Sequence, residues 1–305
     1  MAALPTRGAQ AKRLSHMNRL APGYVLRSTP VPAHQRRNIV PFRFLNRQRQ
    51  HTCRMLLAAL LLTTTLAAWL SPAAAAEMRL YAAAGMKAPL EQIARDFEAA
   101  TGHRVVLLFT TAGAAEQRFL ADPAATFLVT TEARLRSAEK DGRLGNGMTS
   151  LIGATVGGLA APPEGSRPAI ATPGEFRAAL LAAPRIAFSD PARGATVGKH
   201  FLQVIDELGI REQVLGKSTL ARDGVETMHL VLEGKADLGV TQISEIVQAD
   251  ARALLGPFPG RFDLATTYAL WLSKDAAPEA LAFATLVTSA AERERLRAHG
   301  LRPPD

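Results

Sequence analysis

The segment Ser189–His200, with the sequence SDPARGATVGKH, points most directly to chemistry. A buried-strand pattern ends at Ser189, a turn with Pro191 and Gly194 follows, and a helix pattern begins near Thr196. Such a junction directs unpaired backbone N–H groups at one point, and a helix start carries about half a positive charge. The segment therefore predicts a site for an anion.

Two other interpretations of this segment exist. A nucleotide P-loop requires a wider glycine spacing than that of Gly194 and Gly198, and it requires Ser or Thr where this chain has His200. The segment therefore does not fit a P-loop. A tight turn that only connects a strand to a helix remains open as an alternative.

Three further junctions have the same strand–turn–helix form. They are Ala82–Gly85, Thr110–Gly113 and Arg222–Val225. Each alone is a weak signal, whereas four junctions divided between two lobes would surround a small anion with N–H donors. We expect local dipoles rather than a general positive field to hold the anion.

Several other kinds of site are not supported by the sequence. The only cysteine, Cys53, lies before the apolar segment near residue 60, and no G-x-S-x-G motif or nucleic-acid-binding pattern occurs. The histidines beyond residue 76 show no metal-ligand spacing; they are His103, His200, His229 and His299. We expect neither a metal nor a cofactor, and no nucleic-acid partner.

The N-terminal part of the chain has the pattern of an export signal. The uncharged run Met55–Leu70 follows Arg54 and precedes Ala73–Ala76, which predicts a signal peptide over residues 55–76 with cleavage after Ala76. The run is short for a retained membrane anchor, the alternative. We expect residues 1–54 to be a disordered basic leader or to lie upstream of the true start codon, and the protein to be periplasmic.

The positive charge of the chain belongs to that leader. Residues 1–54 contain 11 of the 36 basic residues and no acidic residue. The remaining 25 basic residues face 27 acidic residues, so the net charge beyond residue 76 is −2. The high pI therefore does not indicate a nucleic acid or an acidic membrane as partner.

Strand and helix patterns alternate from Met78 onward and predict an α/β fold with a parallel sheet. We expect a crossover over Ser150–Ala160, a second α/β unit after it, and a returning strand at Leu264–Leu272. The expected lobes are residues 77–155 with 263–305 (lobe I) and residues 156–262 (lobe II), with a ligand cleft between them.

Four segments resemble the periplasmic molybdate-binding proteins and the wider group of ABC-importer solute receptors. They are YAAAGMKAPLEQIARDFEAATG (Tyr81–Gly102), LADPAATFLVTT (Leu120–Thr131), IAFSDPARGATVGKHF (Ile186–Phe201) and LEGKADLGVTQISEI (Leu232–Ile246). The resemblance covers nearly all of the chain after residue 76. It implies the two-lobed type II periplasmic-binding fold, closure on a small anionic ligand, and delivery to an ABC permease of the inner membrane. We expect a monomer.

The resemblance also implies ligand-binding positions. These are Gly85, Thr111, Ala112, Thr196, Val197, Arg222, Val225 and Gln242. At three of them the chain departs from the family, which has serines at the positions of Gly85 and Ala112 and a tyrosine at that of Gln242. A lost polar contact in a buried site costs about 1–3 kcal/mol, so molybdate does not follow from the fold.

A neighbouring branch of the family includes receptor-like proteins that act as aconitate isomerases. In that alternative the substrate would be a polycarboxylate, and His200 would be the catalytic proton carrier. The titratable groups that suit such a substrate are those of Arg193, His200, Arg222 and Glu245. Otherwise the two arginines are solvated loop residues, His200 is a surface or core histidine, and Glu245 lies on a helix face. A third possibility is a sensor subunit that reports a ligand to a membrane partner.

Overall fold

The structure, a computed structural model, describes residues 75–304. The expected leader, residues 1–54, and nearly all of the expected signal peptide, residues 55–76, lie outside this range and stay predictions. Within the described range, no helix is both long enough and apolar enough to cross a membrane.

Strands and α-helices alternate along most of this range. The strands are β1 (Glu77–Ala83), β2 (Arg104–Thr110), β3 (Ala125–Thr131), β4 (Gly147–Ala160), β5 (Ile186–Ser189), β6 (Ser218–Ala221), β7 (Leu238–Gln242), β8 (Leu254–Pro257) and β9 (Ala265–Ser273). The helices are α1 (Lys87–Thr101), α2 (Ala112–Ala121), α3 (Glu132–Lys140), α4 (Pro173–Ala182), α5 (Thr196–Glu207), α6 (Arg211–Leu215), α7 (Gly224–Leu232), α8 (Ile243–Asp250), α9 (Pro278–Val287) and α10 (Arg293–Ala298). Short 3₁₀ turns, such as Ala84–Met86 before α1, complete the connections.

The strands form a mixed sheet in the order β2-β1-β3-β9-β4-β7-β5-β6, with β8 paired to β4 outside this order. Strand β1 pairs in parallel with β2 and β3, and β5 pairs in parallel with β6 and β7. These are the two parallel groups that the alternating strand and helix patterns predicted. Strand β9 returns antiparallel between β3 and β4.

Strand β4 belongs to both halves of the sheet. It pairs with β9 from Gly147 to Val156 and with β7 from Gly157 to Ala160. The sequence placed a crossover over Ser150–Ala160, and the structure shows one continuous strand of 14 residues there. The change of partner strand supports a lobe boundary near residue 155. The expected division into lobe I (residues 77–155 with 263–305) and lobe II (residues 156–262) stays a proposal.

Each half of the sheet has its own hydrophobic core, which makes the molecule two-lobed. In the first lobe, apolar residues of α1 pack with Phe127 of β3 and Phe283 of α9. In the second lobe, five phenylalanines occupy the centre: Phe176, Phe188, Phe201, Phe258 and Phe262. Because each lobe buries its own apolar surface, the ends of the strands between the lobes remain available for a polar site.

Helix α1 shows how the sequence determines such an element. Leu90, Ile93 and Phe97 recur at helical spacing and are buried. Gly102 ends the helix with φ +75° and donates its N–H to the Glu98 carbonyl at 2.8 Å. A left-handed residue at this position favours glycine, so the sequence marks this end of the helix clearly.

The sequence places Glu245 on a helix face without giving the bounds of that helix, and the structure shows the helix as α8. It begins at Ile243, directly after β7 ends at Gln242, with no glycine or proline between them. A strand that passes into a helix without a turn residue leaves no local mark of the boundary in the sequence. This junction places Glu245 in the first turn of α8, between the two lobes.

Candidate ligand-binding site

A cavity of about 30 Å³ lies at the carboxyl ends of the parallel strands, where the two lobes meet. It is lined by Ala83, Ala84, Gly85, Thr111, Ala112, Ser189, Ala195, Thr196, Val197, Gly224, Thr241, Gln242, Glu245 and Tyr268. None of these residues is basic, and Glu245 and Tyr268 are the lining residues with ionisable side chains. This edge of an α/β sheet is where ligands bind in many folds of this class.

The start of α5 supplies backbone donors to the cavity. Ala195 precedes the helix with an extended backbone (φ −67°, ψ 121°), and no side chain caps this end. The first N–H groups of a helix have no partner inside the helix. Thr196 and Val197 therefore present unpaired N–H groups and the positive end of a 12-residue helix beside the cavity.

Two more helices begin at the cavity. Ala112, the first residue of α2, and Gly224, the first residue of α7, both line it. These ends are capped: Thr111 Oγ1 accepts from the N–H of Ala114 at 3.2 Å, and Asp223 Oδ1 accepts from the N–H of Glu226 at 3.1 Å. Three helix dipoles thus converge on one point and favour negative charge there.

The lobes touch directly on one side of the cavity. The N–H of Gly113 donates to the Gly194 carbonyl at 3.2 Å, and the Thr111 hydroxyl donates to the Arg193 carbonyl. A Cβ atom on Gly113 would lie 2.8 Å from Cα of Gly194, and Gly194 itself has φ +77°. Only glycine at both positions permits this close approach, so the cleft is closed in this structure.

A second contact lies on the other side, where α8 meets the start of α1. Gln248 donates from Nε2 to the Gly85 carbonyl at 2.8 Å and accepts at Oε1 from the N–H of Ala88 at 2.9 Å. One amide side chain therefore joins α8 of the second lobe to the first lobe at two points. It also fixes the backbone of Gly85 at the cavity wall.

Glu245 brings a buried carboxyl group to the cavity. Its Oε2 accepts from the hydroxyl of Thr241 and from the N–H of Gln242, the latter at 3.2 Å. The carboxyl group also fills the space beside Gly224 that a Cβ atom would need. Burial is the main reason that the pKa of Glu245 rises from its ordinary value of 4.5 to about 7, and the charge of Asp223 adds to it.

Tyr268 enters the cavity from β9. Its hydroxyl group lies where a side chain on Gly85 would stand, and Cζ of Tyr268 is 3.0 Å from the ideal Cβ position of Gly85. Ser244 Oγ is also 3.0 Å from that position, is fully buried, and has no hydrogen-bond partner among the described residues. Burial, assisted by Glu245, raises the pKa of Tyr268 well above its ordinary range, so the phenol stays a neutral donor.

Neutral hydroxyl groups complete the second-lobe wall. Ser189 Oγ lies 3.3 Å from Thr227 Oγ1 and 3.4 Å from Thr241 Oγ1. Gln242 donates from Nε2 to Thr266 Oγ1 at 2.9 Å, and its Oε1 has no partner within residues 75–304. Apart from the ionisable carboxyl group of Glu245, the wall thus offers dipoles and hydroxyl groups rather than charges.

The structure brings six of the eight residues expected to bind ligand to this cavity. They are Gly85, Thr111, Ala112, Thr196, Val197 and Gln242. The four strand–turn–helix junctions of the sequence all reach the same cavity, although Arg222–Val225 does so through Gly224 alone. Their role in binding remains a prediction.

The other two expected residues lie outside the cavity. Arg222 is directed to solvent, where its Nε lies 3.1 Å from Oε2 of Glu226 in the next turn. Val225 faces a neighbouring depression beside Lys87 and His229, because the second residue of α7 points away from the cavity. The resemblance implied a backbone donor at Val225, and the residue of α7 that lines the cavity is Gly224, one position earlier.

The residues expected to act in an isomerase also lie outside the cavity, with the exception of Glu245. His200 stacks on Phe258 at a centroid distance of 5.7 Å, and its Nε2 is 2.8 Å from the Phe262 carbonyl oxygen, so the ring is a packed histidine of the second lobe. Arg193 bonds through Nε to the Arg222 carbonyl at 3.2 Å. Neither residue lines the cavity.

Sequence reasoning missed Tyr268 and Thr241 as cavity residues. Tyr268 is visible in the sequence only as one aromatic residue of an apolar strand. Its position follows from the pairing of β9 with β3 and β4, which brings a distant segment beside Gly85. Thr241 is the penultimate residue of β7 and was not among the expected ligand-binding positions. Residues 75–304 contain no group of three or more His, Cys, Asp or Glu side chains arranged to hold a metal.

A two-lobed α/β fold with a ligand cavity between the lobes defines the class of type II periplasmic-binding proteins. Within that class, the chain belongs to the family described as bacterial extracellular solute-binding proteins, whose sequence profile matches residues 78–302. The resemblance seen in the sequence is confirmed: the chain is an extracellular solute-binding protein that is similar to the molybdate-binding protein ModA.

Individual relatives agree with this assignment. The chain is 29% identical over 178 residues to the molybdate-binding protein ModA of Azotobacter vinelandii, covering 57% of this chain and 68% of that protein. The solved periplasmic molybdate-binding protein of that organism superposes with a TM-score of 0.59 at 20% identity, over 75% of this chain and 100% of the other. PEB3 of Campylobacter jejuni bound to L-phospholactate gives a TM-score of 0.56 at 15% identity, over 74% and 100%.

Proposed function

We propose that this protein is a periplasmic receptor that binds one small anion between its lobes and delivers it to an ABC permease of the inner membrane. The observation that carries the proposal is the convergence of three helix N-termini on a closed cavity that no basic residue lines. Backbone dipoles at such ends favour an anion without a fixed counter-charge. Export through a signal peptide ending at Ala76 is part of the same proposal.

The size of the cavity favours a compact ligand group. A volume of about 30 Å³ holds roughly two water-sized atoms at 10–15 Å³ each. The two oxygens of a carboxylate head match this space, and a tetrahedral oxyanion with four oxygens would need roughly twice as much. A whole tricarboxylate would require the Gly113–Gly194 and Gln248 contacts to open.

The relatives support an anion without determining which one. One relative is named for molybdate and another was solved with L-phospholactate, and both of these ligands are anions. The chain has Gly85 and Ala112 where the resemblance implies serines, and Tyr268 and Glu245 line its cavity. We therefore propose a molybdate-like oxyanion or a small organic acid as the ligand, with molybdate as one candidate among several.

An isomerase is the second candidate, and one observation favours it. Glu245 is an ionisable carboxyl group at the cavity with a pKa near 7, which suits a general acid or base. Because His200 is packed in the second lobe, Glu245 would have to replace it in that role. The small cavity weighs against this alternative.

The experiment that tests the proposal is thermal unfolding of the protein, expressed as the full chain, with molybdate, tungstate, sulfate, phosphate, citrate and cis-aconitate in parallel. A ligand at 100 times its dissociation constant adds about 2.7 kcal/mol, which raises the melting temperature by roughly 5–10 °C for this size. We expect such a shift with at least one anion. Interconversion of cis- and trans-aconitate would instead support the isomerase, and shifts with nucleotides alone would reject both functions.

A further inference from the structure

Building on the anion receptor proposed above, we propose that the closed complex holds one proton between the Glu245 carboxyl group and the bound anion. A fully ionised anion would take this proton from solvent as it binds. A ligand with an acidic hydrogen of its own would bring the proton with it. As the pH rises, the cavity would therefore increasingly prefer anions that carry an acidic hydrogen over fully ionised anions.

The position of Glu245 makes a contact with the ligand unavoidable. The carboxyl group borders the cavity and is only 9% exposed. It is held from three directions, by the Thr241 hydroxyl, by the N–H of Gln242 and by the close packing of Gly224. It cannot turn away when the cavity is filled.

The charges around Glu245 leave its negative charge uncompensated. Asp223 at the start of α7 adds negative charge, and Tyr268 on β9 is neutral. The depression behind the carboxyl group is lined by further charged or titratable side chains: Lys87 and Glu91 of α1 and His229 of α7. No salt bridge joins Glu245 to a basic group in the part of the chain that the structure describes. Arg222 is already paired with Glu226.

An ionised Glu245 beside a bound anion would therefore place two negative charges in one buried cavity. Like charges in one site raise the pKa of one group, so a proton is retained between them. The raised pKa of Glu245, of which burial is the main cause, acts in the same direction. Both hydrogen bonds to the carboxyl group end on Oε2, which leaves Oε1 to carry the proton toward an oxygen of the ligand.

Isothermal titration from pH 6 to pH 9 tests this proposal, with molybdate and sulfate as fully ionised probes and inorganic phosphate as the hydrogen-bearing probe. Above pH 7.5 we expect the affinity for the ionised probes to fall about tenfold per pH unit, with uptake of about one proton per anion seen as buffer-dependent binding enthalpy. Phosphate at that pH supplies the proton itself, so its affinity should stay nearly constant.

Two variants sharpen the test. Glu245→Gln keeps the shape of the side chain and removes the ionisation, so its affinity for molybdate or sulfate should not change between pH 7 and pH 9. Glu226→Gln is the matched control, because Glu226 pairs with Arg222 outside the cavity, and it should keep the wild-type slope. The buffer-dependent enthalpy of the wild type needs no variant and decides the question if Glu245→Gln does not fold.

The possible failures are distinguishable. The shared-proton proposal is overturned if molybdate or sulfate binds with an affinity that does not depend on pH. It is also overturned if the pH dependence of the affinity persists in Glu245→Gln. Either result leaves the proposed receptor function standing. If none of the three probes binds at any pH and no other anion shifts the melting temperature, the proposed receptor function fails together with the inference.

Discussion

The hydroxyl group of Tyr268 occupies the space that a side chain at position 85 would need, so Gly85 and Tyr268 fit only as a pair. The pair joins the 3₁₀ turn that precedes α1 to strand β9 and forms one wall of the cavity. A hydroxyl group from a different strand thus stands where a side chain at position 85 would stand.

Gly85→Ala should destabilise the protein and weaken anion binding. The added methyl group meets Tyr268 and Ser244, and overpacking of a buried site costs about 1–3 kcal/mol. Urea unfolding measures the loss. Gly145→Ala is the control, because a Cβ atom there has no neighbour within 4 Å.

The double variant Gly85→Ala with Tyr268→Phe tests whether the two positions are coupled. Removing the hydroxyl group relieves part of the clash. The loss of unfolding free energy in the double variant should therefore be smaller, by at least about 0.5 kcal/mol, than the sum of the losses in the two single variants. Strict additivity would show that Tyr268 does not occupy the space beside Gly85.

Gly113→Ala should hinder closure of the cleft while leaving each lobe folded. A Cβ atom on Gly113 would lie 2.6 Å from an Nη atom of Arg134 and 2.8 Å from Cα of Gly194, so the lobes must separate. We expect at least a tenfold loss of anion affinity, of order 1.4 kcal/mol, because less of the protein is in the binding-competent state. Titration calorimetry measures the affinity, and small-angle scattering measures the separation.

The matched variant for this test is Gly174→Ala, at the start of α4 and away from the cleft, where the nearest atom is Thr172 Oγ1 at 4.0 Å. It should bind like the wild type. Unchanged affinity in Gly113→Ala would show that the contact between Gly113 and Gly194 is not part of ligand binding.

Much of the fold follows from local sequence patterns. The parallel groups of strands and the helices between them are marked by apolar spacing and by helix-ending glycines such as Gly102. Strand β4 is harder to recognise in the sequence because Gly153, Gly157 and Gly158 interrupt its alternation of apolar and polar residues. Its two ends also pair with different strands. Its role depends on strands far away in sequence.

Glu245 should make stability depend on pH. The folded-state pKa of about 7 lies above the ordinary 4.5, so between these values the folded state holds more protons than the unfolded state. The contribution of Glu245 is fully present below pH 4.5 and is lost as the pH rises to 7, a total of about 3 kcal/mol at 1.36 kcal/mol per unit. Urea unfolding from pH 5 to pH 8 measures this decline.

Glu245→Gln should remove the decline, so that the variant matches the wild type near pH 5 and exceeds its stability at pH 8. Carboxyl groups with lowered pKa, such as Asp122 and Asp237, act in the opposite sense and only at lower pH. They are common to both proteins and cancel in the comparison. Parallel curves for the two proteins would mean that Glu245 titrates normally.

Gln248→Ala should loosen the contact between α8 and the first lobe. It removes the hydrogen bonds to the Gly85 carbonyl and from the N–H of Ala88, each with a net value of about 1 kcal/mol. Gln248→Glu keeps the acceptor for Ala88 and loses the donor to Gly85, so it should fall between the wild type and Gln248→Ala. Urea unfolding separates the three proteins, and equal stability of all three would argue against the bridge.

The site was harder to predict than the fold. Backbone positions at strand ends, such as Gly85, Ala112 and Val197, could be located because the family resemblance implied them and because junctions of one form recur along the chain. The directions of Arg222, Val225 and His200 could not, since a side chain one position away on a helix faces a different surface. Tyr268 reaches the cavity through strand pairing, which a local pattern does not record.

The central claim is that the cavity between the lobes binds a small anion, and blocking that cavity tests it most directly. Ala112 is buried at the cavity wall, so Ala112→Leu would fill much of the 30 Å³. We predict that at least one of the anions named above binds the wild type with a stoichiometry of one by calorimetry and does not bind folded Ala112→Leu. Equal binding of that anion by both proteins, or no binding by the wild type, would contradict the account.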